Sequence, residues 1–211
     1  MGTQKLVERL EGLRKSEVGQ IVRARMEEFR NLGKMGNPDW FSEMCFCTLT
    51  ANSKAKLGIK IQQELGPKGF QSLPGVELRK KLKEAGHRHP NKRSQYIVEA
   101  REYRKIKDIV RKIGDSQLAR EWLVKNVKGL GYKEASHFLR NVGFDDLAIL
   151  DRHVLRVIQE CGIIDVIPKT LTKKRYFEIE DKLRKFAQQM HLPLGELDLY
   201  LWYIKTKEVL K

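Results

Sequence analysis

Residues 128 to 153 read KGLGYKEASHFLRNVGFDDLAILDRH. Ahead of this stretch, Leu118, Trp122, Leu123 and Val127 recur at helical steps. Beyond Gly131, Ala135, Phe138, Leu139 and Val142 do the same, until Gly143 ends the pattern. Gly129-Leu130-Gly131 therefore joins two amphipathic helices through a very tight turn. Glycine reaches positive φ and lets the backbone come close to a ligand. The turn opens onto a helix N-terminus, where unpaired N–H groups and the helix dipole favour an anion such as phosphate. Ser116 is the expected cap of the first helix, and Asp151 that of the helix after the pair.

Helical spacing extends over nearly the whole chain. From Val7 to Phe29 apolar residues recur every three or four positions. GKMGNPD, residues 33–39, breaks that pattern, with Asp39 as the expected cap of the apolar helix WFSEMCFCTLTAN. Lys56 to Leu65 reads as another helix, stopped by Gly66-Pro67. Turn chemistry follows at Pro74-Gly75 and from Gly86 to Asn91. A helix is predicted from about Lys92, with Tyr96, Ile97, Ala100 and Tyr103 along one face. Thr172 to Met190 is a long amphipathic helix, and Gly195 to Val209 the last. No stretch alternates with a period of two, no repeat is present and no Ser/Gly linker marks a boundary. The predicted fold class is all-α, with ten or more short helices.

Composition narrows the partner. The 42 Lys and Arg against 27 Asp and Glu leave a net charge of +15, which favours a polyanion. The three cysteines, Cys45, Cys47 and Cys161, are too few and too odd for a disulfide scaffold and point to a reducing compartment. No four-cysteine cluster exists, so neither an iron–sulfur cluster nor a Cys₄ zinc site can be built. No apolar run approaches the roughly 20 residues of a membrane span. The N-terminus has no signal-peptide core. The expected location is intracellular, in the cytoplasm or nucleoid.

Val127 to Ala135 follows the pattern apolar-x-Gly-apolar-Gly-x-x-x-Ala of a helix-hairpin-helix motif. Alone, that motif grips the DNA backbone without reading sequence. Lys133 begins the second helix of the hairpin. Asp151 opens the next helix and is followed by His153 and Val154. Gly-apolar-Gly-x-Lys, then apolar-Asp-x-His-Val, resembles the superfamily of helix-hairpin-helix DNA glycosylases. The resemblance implies that Lys133 is the lysine of those members that also cleave the strand, and that Asp151 is their aspartate. The chemistry suits both. Breaking a glycosidic bond builds positive charge on the sugar, which a carboxylate near C1′ stabilises. An amine can attack C1′ and form a Schiff base, which permits β-elimination of the 3′ phosphate. Lysine at its reference pKa of about 10.4 is mostly protonated, and burial or a helix N-terminus favours the neutral amine. A solvated or phosphate-binding lysine is the plainer alternative in so basic a chain. His153 stays open between orienting the site, contacting phosphate and simply packing.

The missing cysteine cluster and the short chain, with CFCTLTANSKAKLGI and NKRSQYIVEAREY, make the chain similar to a compact class of 8-oxoguanine DNA glycosylase/AP lyase. That class is found in archaea and some thermophilic bacteria. The resemblance implies a base pocket made partly by the last helix and the C-terminal lysine, here Trp202 and Lys211. Leu194, Leu197, Leu201 and Ile204 form the core stripe of that helix, with Asp198 and Trp202 an i, i+4 pair on its flank. An indole there could stack on an extruded base or belong to the core. His89 falls where the family often offers an aromatic ring, a departure from its pattern. Asn52 is expected to face DNA from the middle helices, alongside Gly129, Leu130, Gly131 and His153. The acceptor for the N7–H that marks 8-oxoguanine has no residue assigned to it.

The resemblance thus implies two helical subdomains flanking a DNA-binding cleft within one unit, 1–211. The middle subdomain spans about 31–142 and includes the hairpin at 116–142. Residues 1–30 and 143–211 form the other. The expected partner is double-stranded DNA containing oxidised guanine, bound by a monomer. No cofactor is required, beyond a structural monovalent cation that the hairpin could hold. Another oxidised base as substrate, or a hairpin module that only binds DNA, remain the alternatives.

Overall fold

The computed structural model describes residues 2–211, which form α-helices, one short 3₁₀ turn and no strand. The first apolar pattern is two helices, not one. α1 (Thr3–Lys15) ends at Ser16, whose extended backbone and hydroxyl cap α2 (Glu17–Lys34) by accepting the Val18 N–H. α3 (Asn37–Thr50) starts earlier than expected. Gly36 is its N-cap, so Asp39 lies in the first turn, where its charge suits the dipole, and does not cap it. α3 is buried on every side from Trp40 to Thr50, as its unbroken apolar composition requires. α4 (Ala55–Ser72) is two helical pieces meeting at Gly66, whose φ of 58° and ψ of 180° no β-carbon residue would accept readily. The glycine does stop the first piece, but Pro67 then starts a second.

α5 (Gly75–Glu84), α6 (Pro90–Ala100) and the 3₁₀ turn at 101–103 lead into α7 (Ile106–Ile113), a short helix ended by Gly114 in the left-handed region. The expected cap at Ser116 is a correction. Asp115 is the N-cap of α8 (Ser116–Asn126), accepting the Leu118 N–H, while the Ser116 hydroxyl turns to Asp146. Leu118 is correspondingly exposed, and Ala119, Leu123 and Val127 carry the buried face. α9 (Tyr132–Asn141), α10 (Arg152–Glu160), α11 (Lys173–Gln189) and α12 (Leu194–Thr206) complete the chain. α12 ends before Val209 because Lys207 adopts a left-handed conformation and returns its N–H to Tyr203.

Two hydrophobic clusters organise these helices. One gathers α3, α4 and the segments from Leu78 to Leu147, with Trp40, Phe46, Phe70 and Phe138 at its centre. The other joins α1 and α2 to α10, α11 and α12, through Leu6, Phe29, Ile158, Leu183 and Leu197. α2 reaches both sides, since the Trp40 indole donates to the Leu32 carbonyl at 3.1 Å. Cys45, Cys47 and Cys161 are all free and buried, and burial pushes each thiol up.

Candidate active site

The hairpin turn is built around Gly129. Its φ is 88°, and a β-carbon added there would stand 2.5 Å from the Tyr96 ring of α6. Only glycine satisfies both the left-handed backbone and that close approach. Leu130 turns inward between the two glycines. Its side chain is buried in the first-described cluster, and its N–H is spent on the Val127 carbonyl at 3.2 Å. Gly131 is the N-cap of α9, and its N–H is taken by the Glu134 carboxylate at 3.3 Å. Among the described residues no group of three or more His, Cys, Asp and Glu side chains could hold a metal ion.

Lys133 is the second residue of α9, about a quarter exposed, with Nζ 3.8 Å from the Glu134 carboxylate. Tyr132 before it is fixed by contacts to Glu121, Tyr176 and Phe177. Asp151 caps α10 with one oxygen, Oδ1, which accepts the N–H groups of His153 and Val154 at 2.8 Å each. Neither of those bonds uses the other carboxylate oxygen, Oδ2. The extended segment before Asp151 is buried, so its backbone needs partners. Glu180 accepts the Ala148 N–H at 2.9 Å, and the Tyr176 hydroxyl donates to the Ala148 carbonyl at 2.6 Å. Glu180 is itself held by Arg120 of α8 in a buried bidentate pair at 2.6 and 2.9 Å. One network therefore ties the first hairpin helix to the segment that delivers Asp151.

α9 and α12 meet at a second buried pair. Arg140 donates to Asp198 Oδ2 at 2.5 Å, while Asp198 Oδ1 is buried without a partner. Burial pushes the Asp198 carboxyl up to about 7; Asp151 adds to the rise, and Arg140 and Lys133 pull against it. Asp198 thus lies within electrostatic reach of both Lys133 and Asp151. One turn on, Trp202 is partly exposed and meets the His153 ring edge-on, centroids 6.1 Å apart. The sequence set these two residues in different roles; the fold brings them together.

Lys211 lands in the same region. Its Nζ donates to Glu43 Oε2 at 2.7 Å and to Gln62, and lies 4.3 Å from the Phe46 ring centroid. Glu43 also accepts from Asn141 at 2.7 Å. Lys211 and Gln62 line a depression of about 350 Å³ with Arg25, Phe29, Leu32 and Ile59. A larger groove of about 570 Å³, between α5 and α6, contains neither Lys133 nor Asp151. His137, one turn past Lys133, is buried against Phe46. Burial, with Arg140, Lys133 and Lys211 nearby, holds its pKa well below the usual value. Asn52 and His89 are exposed on loops of the middle helices, Asn52 with a φ of 56°.

Sequence reasoning missed Glu43, Gln62, Arg140, Asn141 and Glu134. One signal was available: Glu43 is the sole acid in the apolar run from Trp40 to Thr50, and a buried carboxylate must be paired. Arg140 and Asn141 occupy the inward face of α9 and could have been read the same way.

An all-helical chain whose hairpin helix carries a lysine, followed by an aspartate-capped helix, has the make-up of the helix-hairpin-helix DNA glycosylase superfamily. A model of the family described as 8-oxoguanine DNA glycosylase matches residues 22–192. The chain belongs to that family. An 8-oxoguanine DNA glycosylase/AP lyase of Methanocaldococcus jannaschii is 52% identical over 98% of this chain and 99% of its own length. The protein of the same description from Thermotoga maritima is 50% identical over 98% and 99%. The crystal structure of the M. jannaschii glycosylase/lyase in complex with a 15mer DNA containing 8-oxoguanine matches with a TM-score of 0.96. The match covers 98% of this chain and 100% of that one.

Proposed function

We propose that this chain excises 8-oxoguanine from duplex DNA and cleaves the strand at the resulting abasic site. The observation that carries the reading is the placement of Lys133 at the start of the hairpin's second helix, with Asp198 in reach of both it and Asp151. Its likeness over nearly the full length to 8-oxoguanine DNA glycosylase/AP lyases supports the substrate. The hairpin and the basic surface hold the phosphate backbone, while the damaged base leaves the stack for the cleft between the two helical clusters. Trp202, His89, Asp198 and Lys211 make the base pocket; His153, Asn52 and the turn Gly129, Leu130 and Gly131, through its backbone, meet the DNA.

In the first step Lys133 Nζ, as the neutral amine, forms a bond to C1′ as the C1′–N9 bond breaks. The electron pair leaves with the base, which takes up a proton. The Asp151 carboxylate stabilises the positive charge on the sugar. Its Oδ1 is fixed by two N–H groups, so the carboxylate reaches the reaction already oriented. Ring opening gives the imine between Nζ and C1′. Loss of a proton from C2′ then expels the 3′ phosphate with the C3′–O electron pair, and water releases Lys133. No step uses a metal or cofactor.

Borohydride trapping on an 8-oxoguanine duplex tests the reading. The wild-type protein forms a covalent adduct and Lys133→Gln forms none. An adduct of equal yield with Lys133→Gln removes the assignment, and a wild type that binds but neither excises nor traps makes the chain a DNA-binding module only.

A further inference from the structure

His87 lies outside the machinery described above, yet it is buried, with 4% of its surface exposed. Its two ring nitrogens make two different bonds. Nε2 is 2.9 Å from the Leu49 carbonyl at the end of α3, and Nδ1 is 3.1 Å from the backbone nitrogen of His89. A carbonyl can only accept, so Nε2 carries the hydrogen. A backbone N–H can only donate, so Nδ1 is bare. The ring is therefore the neutral Nε2–H form, donor on one side and acceptor on the other.

Those two bonds join two loops. Leu49 lies one residue before the end of α3 at Thr50, after which Ala51 and Asn52 follow, and Asn52 turns the chain with a φ of 56°. His89 is the N-cap of α6 and has no side-chain cap bond of its own. Arg93 of α6 adds a second tie, donating to the Ala51 carbonyl at 2.8 Å. The joined loops sit on the hairpin side of the molecule. Arg93 feels the charge of Glu134 at the start of α9, and Tyr96, one turn further along α6, packs on Gly129. His89 and Asn52, the exposed residues of the two loops, are thereby set in fixed register with each other and with the hairpin.

We infer that His87 is a positioning residue for base recognition: its neutral ring ties the His89 loop to the end of α3 and so holds His89 in place for the extruded base. This rests on the proposed excision reading. A residue acting through these loops matters when a base must be held. It matters far less when the substrate is an abasic site, where Lys133 meets the sugar aldehyde directly.

The test uses that difference. His87→Phe keeps a planar ring and loses both bonds; His87→Gln keeps a donor and an acceptor. Each is assayed for excision from an 8-oxoguanine duplex and for borohydride trapping on a preformed abasic duplex, with melting curves alongside. His87→Phe excises about tenfold more slowly, the scale expected for losing hydrogen bonds that hold a reacting geometry. Its abasic-site trapping stays within about twofold of wild type, and His87→Gln recovers most of the excision rate. Wild-type excision in His87→Phe, an equal fall in both assays, or a glutamine variant as slow as phenylalanine overturns the inference. If His87→Phe does not fold, His87→Ala enters the same pair of assays with the same criteria. Failure of the wild type in both assays would instead overturn the excision reading itself.

Discussion

At Gly129 a single hydrogen atom decides the geometry of the turn. A methyl group there meets the Tyr96 ring at 2.5 Å, on a backbone whose φ of 88° already disfavours it. Gly129→Ala is expected to cost about 1–3 kcal/mol in stability, by strain and steric overlap together. It should also weaken binding to undamaged duplex, because the turn must shift. A melting curve and a binding titration check both; an unchanged melt with unchanged affinity would show that the turn absorbs the methyl group. Asp151 separates two roles that one side chain performs. Asparagine caps helices as well as aspartate, so Asp151→Asn keeps α10 and binds lesion DNA. Without the carboxylate, excision should fall about 100-fold or more. Single-turnover excision measures this, and a rate near wild type would leave Asp151 as a cap alone. The Lys133 and Asp151 positions were legible because glycine spacing and a helix start are local signals. The inward turn of the Leu130 side chain was not legible, because a hydrophobic residue between two glycines has no sequence mark telling which way it points.

At the scale of helices, the existence of most elements was readable and several of their starts were not. Caps are chosen by competition between neighbours a residue apart. Asp115 outranks Ser116 because Ser116 is drawn to Asp146, a partner far along the chain. α7 went unread because eight residues give too few turns to show a period. The buried pairs between helices were invisible for the same reason: Arg140 and Asp198 are 58 positions apart. That pair makes the contact between α9 and α12 depend on pH. Burial raises the Asp198 carboxyl from 3.8 to about 7. Between those values the folded chain holds a proton that the unfolded chain has lost, so folding stability falls as pH rises through that window. Asparagine mimics the neutral acid and does not titrate. Asp198→Asn should therefore gain on wild type as pH rises from about 4 to about 8, within the window set by linkage. Denaturant unfolding of both proteins across that range measures the difference. A difference independent of pH would mean that Arg140 keeps Asp198 ionised throughout.

The whole molecule has two hydrophobic clusters, and its polar side chains do the joining. Arg140 and Asp198 bridge them at α9 and α12, Arg140 also donates to Asn141, and Glu43 collects Asn141, Gln62 and Lys211. Glu208 adds an ion pair to Lys56 on α4. The end of the chain thus crosses from α12 of one cluster to α3 and α4 of the other. An ammonium group among a buried carboxylate, an amide and the Phe46 ring is held tightly enough to define one wall of a pocket. Removing Leu210 and Lys211 leaves Glu43 with two neutral partners and opens that wall toward the 350 Å³ depression. The His137 ring on α9 loses its bond to the Lys211 backbone, but Lys133, Asp151 and the Gly129 turn make no hydrogen bond to these two residues and stay in place. The truncated chain should still trap on a preformed abasic site, since that reaction needs only the lysine and the DNA grip. Its preference for 8-oxoguanine over guanine should fall by about tenfold or more, as expected when a site loses polar groups that sort substrates by their hydrogen bonds. Competition between the two duplexes in one reaction reads the preference directly. Full discrimination after truncation would place base reading on α12 and the middle loops alone. Loss of abasic trapping together with discrimination would show instead that the crossing holds the two clusters at the spacing on which the chemistry itself depends.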